Sequence, residues 1–318
     1  MKSLSIIICT WNRAAILQST LASLDLQQAA GFETIEVIVV DNNSTDSTAA
    51  AIAQLSETWK LGALRYSFEG RQGKQFALNT GITQSQSDLL AFTDDDILFP
   101  PDWTKSLFQA FTDSSVEVAG GKTLLTWPEG GVPDWYAKNM AAVLGGVDLG
   151  DNLLLPPPNE YAPAGANLVV RRTLFSRVGI FSESHFRHMD FEFGHRCAQR
   201  HAVLAYIPSL VVWAPIDAAM LSKRYFRRWS FKAGIMHPDA ENIAGSMRVP
   251  RWAIRQLFQD VIQWPLAALF KKPSEAFSRE LRIWRGLGAV CSCWQAWARP
   301  HHYAEWVAHY SQKKNNLY

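Results

Sequence analysis

Two observations in the sequence predict an α/β fold with a mainly parallel sheet. Short β-branched runs alternate along the chain with segments whose apolar residues recur at helical spacing. Each run also ends directly in turn-forming or charged residues, as the strands of such sheets do. The chain has 318 residues, of which 48% are hydrophobic and 19% charged. That length is sufficient to bury a core around the sheet without disulfides.

The predicted elements of the first half alternate between strand and helix. Leu4–Thr10 and Ile35–Val40 are continuous apolar runs, typical of strands that are buried on both faces. The other predicted strands are Ala63–Phe68 and Leu89–Thr93. The predicted helices span Ile16 to Leu24, Thr45–Leu55 with its cap at Ser44 or Thr45, Lys74–Gln84, and the segment that follows Pro100-Pro101-Asp102.

The second half is less regular and ends in a segment of different composition. A strand over Ala166–Val170 and a helix over Asp190–Arg200 are predicted there. Residues 1–222 hold 15 Lys or Arg and 23 Asp or Glu. Residues 223–318 hold 16 and 6, together with 7 of the 13 Trp. We therefore expect a sheet domain over 1–222 and a basic, Trp-rich helical region over 223–318.

Cysteine use and hydropathy indicate a cytoplasmic protein. The four cysteines are not accompanied by a Cys/His set with zinc spacing, which favours a reducing compartment. The apolar run near the amino terminus is too short for a signal peptide and is followed closely by Arg13. No run of 18 uncharged apolar residues predicts a transmembrane helix.

Polar clusters stand at the carboxyl ends of three predicted strands. They are Thr10-Trp-Asn-Arg13, Asp41-Asn-Asn-Ser44 and Asp94-Asp-Asp96. In parallel α/β sheets ligands bind in the crevice outside the carboxyl ends of the strands. The sequence therefore predicts that a single crevice collects all three clusters.

The acidic cluster is the strongest candidate for a metal site. Three adjacent carboxylates repel one another, and Mg²⁺ or Mn²⁺ is a hard cation that binds through carboxylates and substrate phosphates. In an extended segment Asp94 and Asp96 point to one side and Asp95 to the other, so the first two form the predicted ligand pair. The alternative is a solvated acidic turn that helps to start the next helix.

Other candidate side chains have structural alternatives of equal simplicity. Asp41 can accept hydrogen bonds from a base or a ribose, or it can simply form the turn. Arg71 and Lys74 flank Gly73 before a helix, which suits phosphate or base contact, but a solvated basic loop has the same composition. Asp190 and Glu192 are candidate general bases, or helix N-terminal acids favoured by the helix dipole.

Taken in order, these clusters resemble glycosyltransferase family 2, with its GT-A, Rossmann-like nucleotide-sugar-binding fold. The matching segments run from residue 3 to about residue 200 in the family's order. They are Ser5–Arg13 and Glu36–Asp46 for the first two strands and their loops, Gly73–Gly81 for the helix after the base-binding loop, Phe92–Asp96 for the D-x-D segment, Gly165–Asn167 for the acceptor side, and Met189–Arg196 for the catalytic base.

The resemblance implies a role for each candidate. The residues that it places at the nucleotide are Thr10, Asn12, Arg13, Asp41, Arg71 and Lys74. It places Asp94 and Asp96 at the metal diphosphate and Asp95 near the ribose or sugar. Asp190 matches the base; this chain has Met189 where the family often has Glu, which keeps Glu192 as a rival. The implied reaction is an inverting transfer from a nucleotide-diphosphate sugar, UDP-sugars being the most frequent donors, to a hydroxyl acceptor with Mn²⁺ or Mg²⁺.

Two other functions share some of these features. A nucleotidyltransferase that makes a nucleotide sugar also needs metal carboxylates, but its Gly-rich amino-terminal loop with clustered basic residues is absent. A non-catalytic nucleotide-sugar-binding or glycan-binding protein would not need the acidic triplet or a base.

The basic, aromatic region after residue 222 predicts a peripheral membrane enzyme with a glycan or lipid-linked acceptor. Lys223–Trp229 and Trp252–Trp264 mix Arg or Lys with aromatic residues on short amphipathic segments, a pattern typical of helices at an anionic membrane surface. The alternative is a helical subdomain that packs its Trp residues inward. Nucleic acid is not an expected partner, because no nucleic-acid-binding motif accompanies the charge.

Overall fold

The computed structural model describes residues 2–157, 161–184, 189–235, 251–303 and 305–307. Seven strands form one sheet in the order β3-β2-β1-β4-β6-β5-β7. The strands are β1 (Ser3–Thr10), β2 (Thr34–Asp41), β3 (Ala63–Phe68), β4 (Leu89–Asp94), β5 (Val118–Thr126), β6 (Leu168–Arg171) and β7 (Leu204–Pro215). β6 is antiparallel to both of its neighbours and the other pairs are parallel. The predicted α/β class with a mainly parallel sheet is confirmed.

The α-helices of the described residues follow the strands closely in the first half of the chain. They are α1 (Ala14–Asp25), α2 (Thr48–Ser56), α3 (Lys74–Gln84), α4 (Trp103–Ala110), α5 (Phe175–Val178), α6 (Met189–Gln199), α7 (Lys223–Ile235), α8 (Arg251–Phe270) and α9 (Pro273–Ala298). The predicted cap of α2 is wrong, because the helix begins at Thr48. Thr45 instead donates its backbone N–H to Asn12, and Asp46 accepts from the Thr48 N–H.

The long strands β5 and β7 are absent from the sequence-based expectation. Gly120 and Gly121 lower the strand propensity of β5. Gly121 is required there, since a Cβ at this position would lie 1.9 Å from the carbonyl oxygen of Leu210. The pairing register also shifts between Gly121 and Lys122, where β7 contains Pro208. A bulge with a close backbone approach leaves no simple alternation in either strand.

The core lies on both faces of the sheet, and β1 shows how the sequence builds it. Ile6 and Ile8 pack into one buried apolar cluster, whereas Ile7 packs into the other. Successive strand side chains point to opposite faces, so a continuous apolar run is what a strand covered on both sides requires. This burial fixes the register of β1 against β2 and β4, and with it the position of the strand ends.

The chain divides into two compact units. Unit 1 comprises residues 1–126 and 145–215, and unit 2 comprises residues 127–144 and 216–318. The second segment of unit 2 begins at residue 216, near the boundary predicted at residue 222, and unit 2 also includes residues 127–144 from the middle of the chain. Its described core contains Tyr225, Phe226 and Phe277. The predicted helical region also covers 236–250 and the residues after 307, which lie outside the described part of the chain.

No described helix combines the length and the apolar content needed to cross a membrane.

Candidate active site

The carboxyl ends of three parallel strands bring the predicted clusters together. In the β1–β2 register Thr10 is opposite Asp41, and in the β1–β4 register Cys9 is opposite Asp94. The loops that follow these strands therefore start side by side. The predicted clusters therefore meet at one edge of the sheet although their residues lie far apart in sequence.

The acidic triplet alternates between solvent and protein interior. The side chains of Asp94 and Asp96 are 35% and 37% exposed, whereas that of Asp95 is 7% exposed. Lys74, at the start of α3, forms an ion pair with Asp94. Burial and then repulsion from Asp94 raise the pKa of Asp96. Asp94 and Asp96 are therefore the two carboxylates of the triplet that a ligand can reach.

Arg13 is the cation that joins Asp95 and Asp96. Its guanidinium donates to Asp95 Oδ1 at 2.6 Å and to Asp96 Oδ2 at 2.9 Å. Burial disfavours the charged form of Arg13, but attraction to the two carboxylates outweighs it and raises the pKa of Arg13. The guanidinium remains charged in this setting and offsets the repulsion within the triplet.

Thr10 and Asp95, which the resemblance places at the nucleotide and near the ribose or sugar, lie in the protein interior. Asp95 Oδ2 accepts from the Thr10 hydroxyl at 2.8 Å, and its carbonyl oxygen accepts from the Thr20 hydroxyl at 2.8 Å. Thr10 is only 1% exposed and Asp95 only 5%. Both side chains are turned into the protein, where they fix the turn that presents Asp94 and Asp96.

Asn12 connects the loops after β1 and β2. Its backbone has a positive φ of 52°, and its side-chain Oδ1 accepts from the backbone N–H of Thr45 at 2.7 Å. The Asn12 N–H in turn donates to the Ser44 hydroxyl at 2.8 Å. Asn tolerates this left-handed conformation better than most residues. Asn12 thus fixes the two loops relative to each other.

Asp41 lies at the end of β2 and is almost completely buried. Its Oδ1 accepts from the Ser44 N–H at 2.8 Å, as expected of a turn-forming Asp, and its Oδ2 accepts from the Tyr66 hydroxyl at 3.0 Å. Burial and then the neighbouring Asp41 raise the pKa of Tyr66 to about 12. Tyr66 therefore stays protonated and acts as a donor to Asp41.

Arg71 is held by Glu69, a residue that the sequence analysis does not single out. The Arg71 Nε and a terminal nitrogen donate to the two Glu69 oxygens, each at 3.1 Å, and the guanidinium lies 4.4 Å from the centre of the Phe76 ring. The hydrogen bond from Arg71 is the main cause that lowers the pKa of Glu69 to about 2. A carboxylate two residues before an Arg in a Gly-containing loop is the sequence signal.

Asn42 is a second residue that sequence reasoning missed. Its side-chain nitrogen donates to the Arg71 carbonyl at 2.6 Å, and its side-chain oxygen accepts from the Gly73 N–H at 2.8 Å. One amide thus ties the end of β2 to both sides of the loop before α3. The Asp-Asn-Asn sequence indicates a turn, but not this contact with a loop about 30 residues later.

Asp190 lies in the first turn of α6, against the segment before β6. Its Oδ2 accepts from the Gly165 N–H at 2.8 Å and its Oδ1 from the Phe191 N–H at 2.9 Å. A Cβ on Gly165 would lie 3.4 Å from Asp190 Oδ2, so the approach is close. Burial works to lower the pKa of Lys74, but attraction to Asp94, with a smaller contribution from Asp190, outweighs it and raises the pKa. Asp190 therefore lies near the Lys74–Asp94 pair.

Glu192 is in a different environment one half-turn further along α6. Its two oxygens accept from Arg196 at 2.7 and 2.8 Å. Arg196 also donates to the Val178 carbonyl. The bidentate pair occupies both oxygens of Glu192 and compensates its charge.

The carboxylate oxygens at this site suit a small divalent cation that also binds a substrate. Among the described residues, no group of three or more His, Cys, Asp or Glu side chains converges as a preformed metal site. Asp94 and Asp96 offer two accessible carboxylates, and Mg²⁺-type ions are commonly held by one or two carboxylates together with substrate phosphates. This side-chain set fits such an ion.

Comparison with known proteins gives a consistent result. The model of "Glycosyl transferase family 2" matches residues 5–179, which include the ends of β1, β2 and β4. Glycosyltransferase AglE of Haloferax volcanii is 25% identical over 279 residues, or 87% of this chain and 84% of that protein. GalNAc(5)-diNAcBac-PP-undecaprenol beta-1,3-glucosyltransferase of Campylobacter jejuni is 30% identical over 96 residues, or 30% of each protein.

Solved structures show the same architecture. Mannosyltransferase PcManGT from Pyrobaculum calidifontis, in complex with GDP-Man and Mn²⁺, has a TM-score of 0.56 at 18% identity and covers 97% of this chain and 84% of that one. GalNAc-T7, with UDP, GalNAc and Mn²⁺, has a TM-score of 0.53 at 16% identity over 68% of this chain and 44% of that one. The expected GT-A-type fold is thereby confirmed.

Proposed function

Because this chain belongs to glycosyltransferase family 2, we propose that it transfers a sugar from a nucleotide-diphosphate donor to a hydroxyl of a glycan or lipid-linked acceptor, with inversion at the anomeric carbon. The observation that carries this proposal is the meeting of Asp94, Asp96 and Lys74 at the ends of parallel strands, with Asp190 close by. The acidic groups suit a metal diphosphate, and the neighbouring carboxylate suits an acceptor proton.

The donor would lie across the ends of β1, β2 and β4. Asp41, Asn12 and Arg71 border the nucleotide side, where Asn42 and Glu69 fix the loop that carries Arg71. UDP is the favoured nucleotide: GalNAc-T7 was solved with UDP, although PcManGT was solved with GDP-Man. Thr10 and Asp95 would support this site from within the protein rather than touch the donor, since their side chains bind each other.

Asp94 and Asp96 would hold Mn²⁺ or Mg²⁺. Both solved structures with this fold, PcManGT and GalNAc-T7, contain Mn²⁺, which supports a divalent ion. Such an ion, when bound, stabilises the negative charge that develops on the leaving diphosphate. Lys74 and Arg13 already neutralise these carboxylates and would add positive charge beside the phosphates.

Asp190 is the better candidate for the general base. Its two oxygens accept only backbone N–H groups among the hydrogen bonds found in the described residues, and these hold the carboxylate in position without neutralising it. Glu192 is instead paired in a bidentate manner with Arg196. A carboxylate that takes the acceptor proton, on the sugar face opposite the diphosphate, makes the attack inverting.

A lipid-linked acceptor is supported by one relative. The Campylobacter jejuni protein is named for an undecaprenol-linked glycan, and it matches about a third of this chain. The assay of this chain includes both lipid-linked and free glycans as acceptors.

Incubation with a panel of nucleotide sugars, Mn²⁺ or Mg²⁺, and membrane lipids or free glycans tests the proposal. We expect release of nucleoside diphosphate that depends on both acceptor and metal, and a product of inverted anomeric configuration by NMR. Pyrophosphate release would indicate nucleotidyl transfer, and binding without turnover would indicate a non-catalytic role; either would overturn the proposed reaction. Retained configuration would overturn the inverting mechanism and the base role of Asp190.

A further inference from the structure

The last two helices of unit 2 form a tightly joined pair. Only Lys271 and Lys272 separate α8 from α9, a link short enough to make the helices antiparallel neighbours. Asp260 of α8 is 1% exposed and receives hydrogen bonds from Arg279 and Arg282 of α9. The ion pairs of the buried Asp260 define which side of each helix faces its partner.

The opposite side of α8 is apolar although it is exposed. Phe258 is 66% exposed and Leu269 is 76% exposed. A helix on the surface of a protein in water usually turns charged and polar side chains outward. The exposed apolar side chains that share this side of α8, here called the α8 stripe, are Ile254, Phe258, Val261, Ile262, Leu266 and Leu269.

A second row of exposed apolar side chains runs along α9. Leu287, Val290, Trp294 and Trp297 recur at helical spacing, and Trp297 is 69% exposed. Successive residues of an α-helix are rotated by 100° about its axis. The centre of this α9 stripe therefore lies about 70° around the α9 axis from the side of α9 that contacts α8. The centre of the α8 stripe lies about 145° around the α8 axis from the side of α8 that contacts α9. Each rotation has the same sign when it is counted from the amino end of its own helix. Because the two helices are antiparallel, both stripes therefore face the same side of the helix pair. We call the two stripes together the apolar face.

Positive charge borders the apolar face. Arg251 and Arg255 lie on the exposed side of α8 at its amino end, and Lys271 and Lys272 are exposed at its carboxyl end. Asp260 is the only acid of α8, and it is buried against α9. The charge around the exposed row of α8 is therefore cationic.

We propose that the apolar face binds an anionic phospholipid surface, with its apolar side chains at the level of the headgroups and its Arg and Lys residues beside the lipid phosphates. An exposed helix face that combines large apolar side chains with cations matches the chemistry of an interfacial helix. A second copy of this chain fits less well, because a two-fold contact through the face would bring like charges together. The proposal goes beyond the transfer reaction and does not depend on it.

Flotation of the full chain with vesicles tests the proposal without donor or metal. We expect the wild-type protein to float with phosphatidylglycerol-containing vesicles at physiological salt and much less with pure phosphatidylcholine. The double variant Phe258→Gln/Leu269→Gln should reduce the bound fraction by about tenfold or more, because two side chains no longer enter the apolar layer. The matched control is Leu26→Gln/Leu153→Gln, which removes two exposed leucines from unit 1 and should float like the wild type.

A second pair of changes and one further measurement complete the test. Arg251→Glu/Arg255→Glu should also weaken flotation with anionic vesicles. This variant tests the proposal if Phe258→Gln/Leu269→Gln does not fold. Failure of the wild-type protein to float, or equal flotation by all variants, would overturn the proposal. So would a dimer in sedimentation velocity that only the Phe258→Gln/Leu269→Gln variant loses. Binding of UDP with Mn²⁺, measured separately, reports on the proposed reaction and should be unchanged in each variant.

Discussion

At the strand ends of unit 1, charged side chains are matched by neighbours of opposite charge, whereas on the apolar face of unit 2 large apolar side chains face outward. Lys74 pairs with Asp94, and Arg13 with Asp95 and Asp96. Pairing holds these groups in place before any ligand arrives, at the cost of pairs that a ligand must displace. The apolar face has the opposite property, since a partner that covers it displaces only water.

Within unit 2 the helices α7 and α8 make a second contrast. Both mix basic and aromatic residues, but Phe226 of α7 is fully buried and packs against Trp135 and Phe277, whereas Phe258 of α8 is exposed. The same composition thus serves a core in one helix and a surface in the other. Of the two interpretations of the basic, aromatic region, an inward-packed helical subdomain describes α7, and the membrane interpretation concerns α8 and α9.

The largest effect should follow from a change to the acidic triplet. Asp96→Ala removes one of the two accessible carboxylates, and we expect loss of both transfer and Mn²⁺-dependent nucleotide binding, on the order of several kcal/mol in transition-state stabilisation. Asp102→Ala, which removes a carboxylate at the start of α4 that makes no capping hydrogen bond, is the control. Calorimetry with Mn²⁺ and UDP measures binding; undiminished binding by Asp96→Ala would exclude Asp96 as a ligand.

The next effect concerns the two carboxylates of α6. Asp190→Asn keeps the shape of the side chain but cannot take a proton, so kcat should fall by about 10²- to 10⁴-fold while donor binding is nearly kept. Glu192→Gln should leave kcat within about threefold, because Glu192 is paired with Arg196 and is not free to act as a base. Steady-state kinetics of both variants distinguish the two residues. Full turnover by Asp190→Asn, together with a large loss of kcat in Glu192→Gln, would assign the general-base role to Glu192.

The two Phe residues of unit 2 test the second contrast through stability. Phe226→Ala should lower the free energy of unfolding by about 3–5 kcal/mol, because it leaves a cavity in a packed aromatic cluster. Phe258→Ala should change it by no more than about 0.5 kcal/mol, as expected of an exposed position. Urea unfolding of both variants gives the comparison. Equal losses would mean that α7 and α8 are packed alike in solution.

The meeting of the three polar clusters was predictable because it depends on strand order alone. Parallel strands that are neighbours in a sheet place their carboxyl ends together, so apolar runs ending in Thr10, Asp41 and Asp94 suffice. The difference in exposure between Asp94 and Asp95 agrees with the expectation for an extended segment, although β4 ends at Asp94 and Asp95 lies in the turn that follows.

Pairings that cross between loops were not predictable. The burial of Asp95 on Thr10, and the amide of Asn42 on the loop before α3, depend on loop conformations that local patterns do not encode. Strand β5 was not predicted, because its glycines lower the local strand propensity. Gly121 is needed there for the close approach of the β7 backbone, which is a tertiary requirement. The exposure of the apolar side chains of α8 was not predictable from composition, because α7 has a similar composition and its aromatic core residue is buried.

Among the expected effects on activity, the smallest should follow from removing the charge of Glu69, which holds Arg71 in position. Glu69→Gln keeps the hydrogen-bonding shape but removes the charge that holds the guanidinium, so we expect the donor KM to rise by up to about tenfold with kcat unchanged. The matched control is Glu183→Gln: Glu183 is half exposed and lies 3.3 Å from Arg71, and its loss should change KM by less than about twofold. Equal effects of the two changes would show that Glu69 does not position Arg71.

The pH dependence of this support has a defined sign. Folding lowers the pKa of Glu69 from 4.5 to about 2, so its contribution to stability is complete above pH 4.5 and is lost as the pH falls toward about 2. The wild-type protein should therefore lose this contribution in acid, whereas Glu69→Gln, which has no carboxyl group to protonate at this position, should show a smaller decrease in stability over the same interval. Thermal unfolding of both proteins between pH 5 and pH 3 measures the difference, and parallel curves would contradict the ion pair between Glu69 and Arg71.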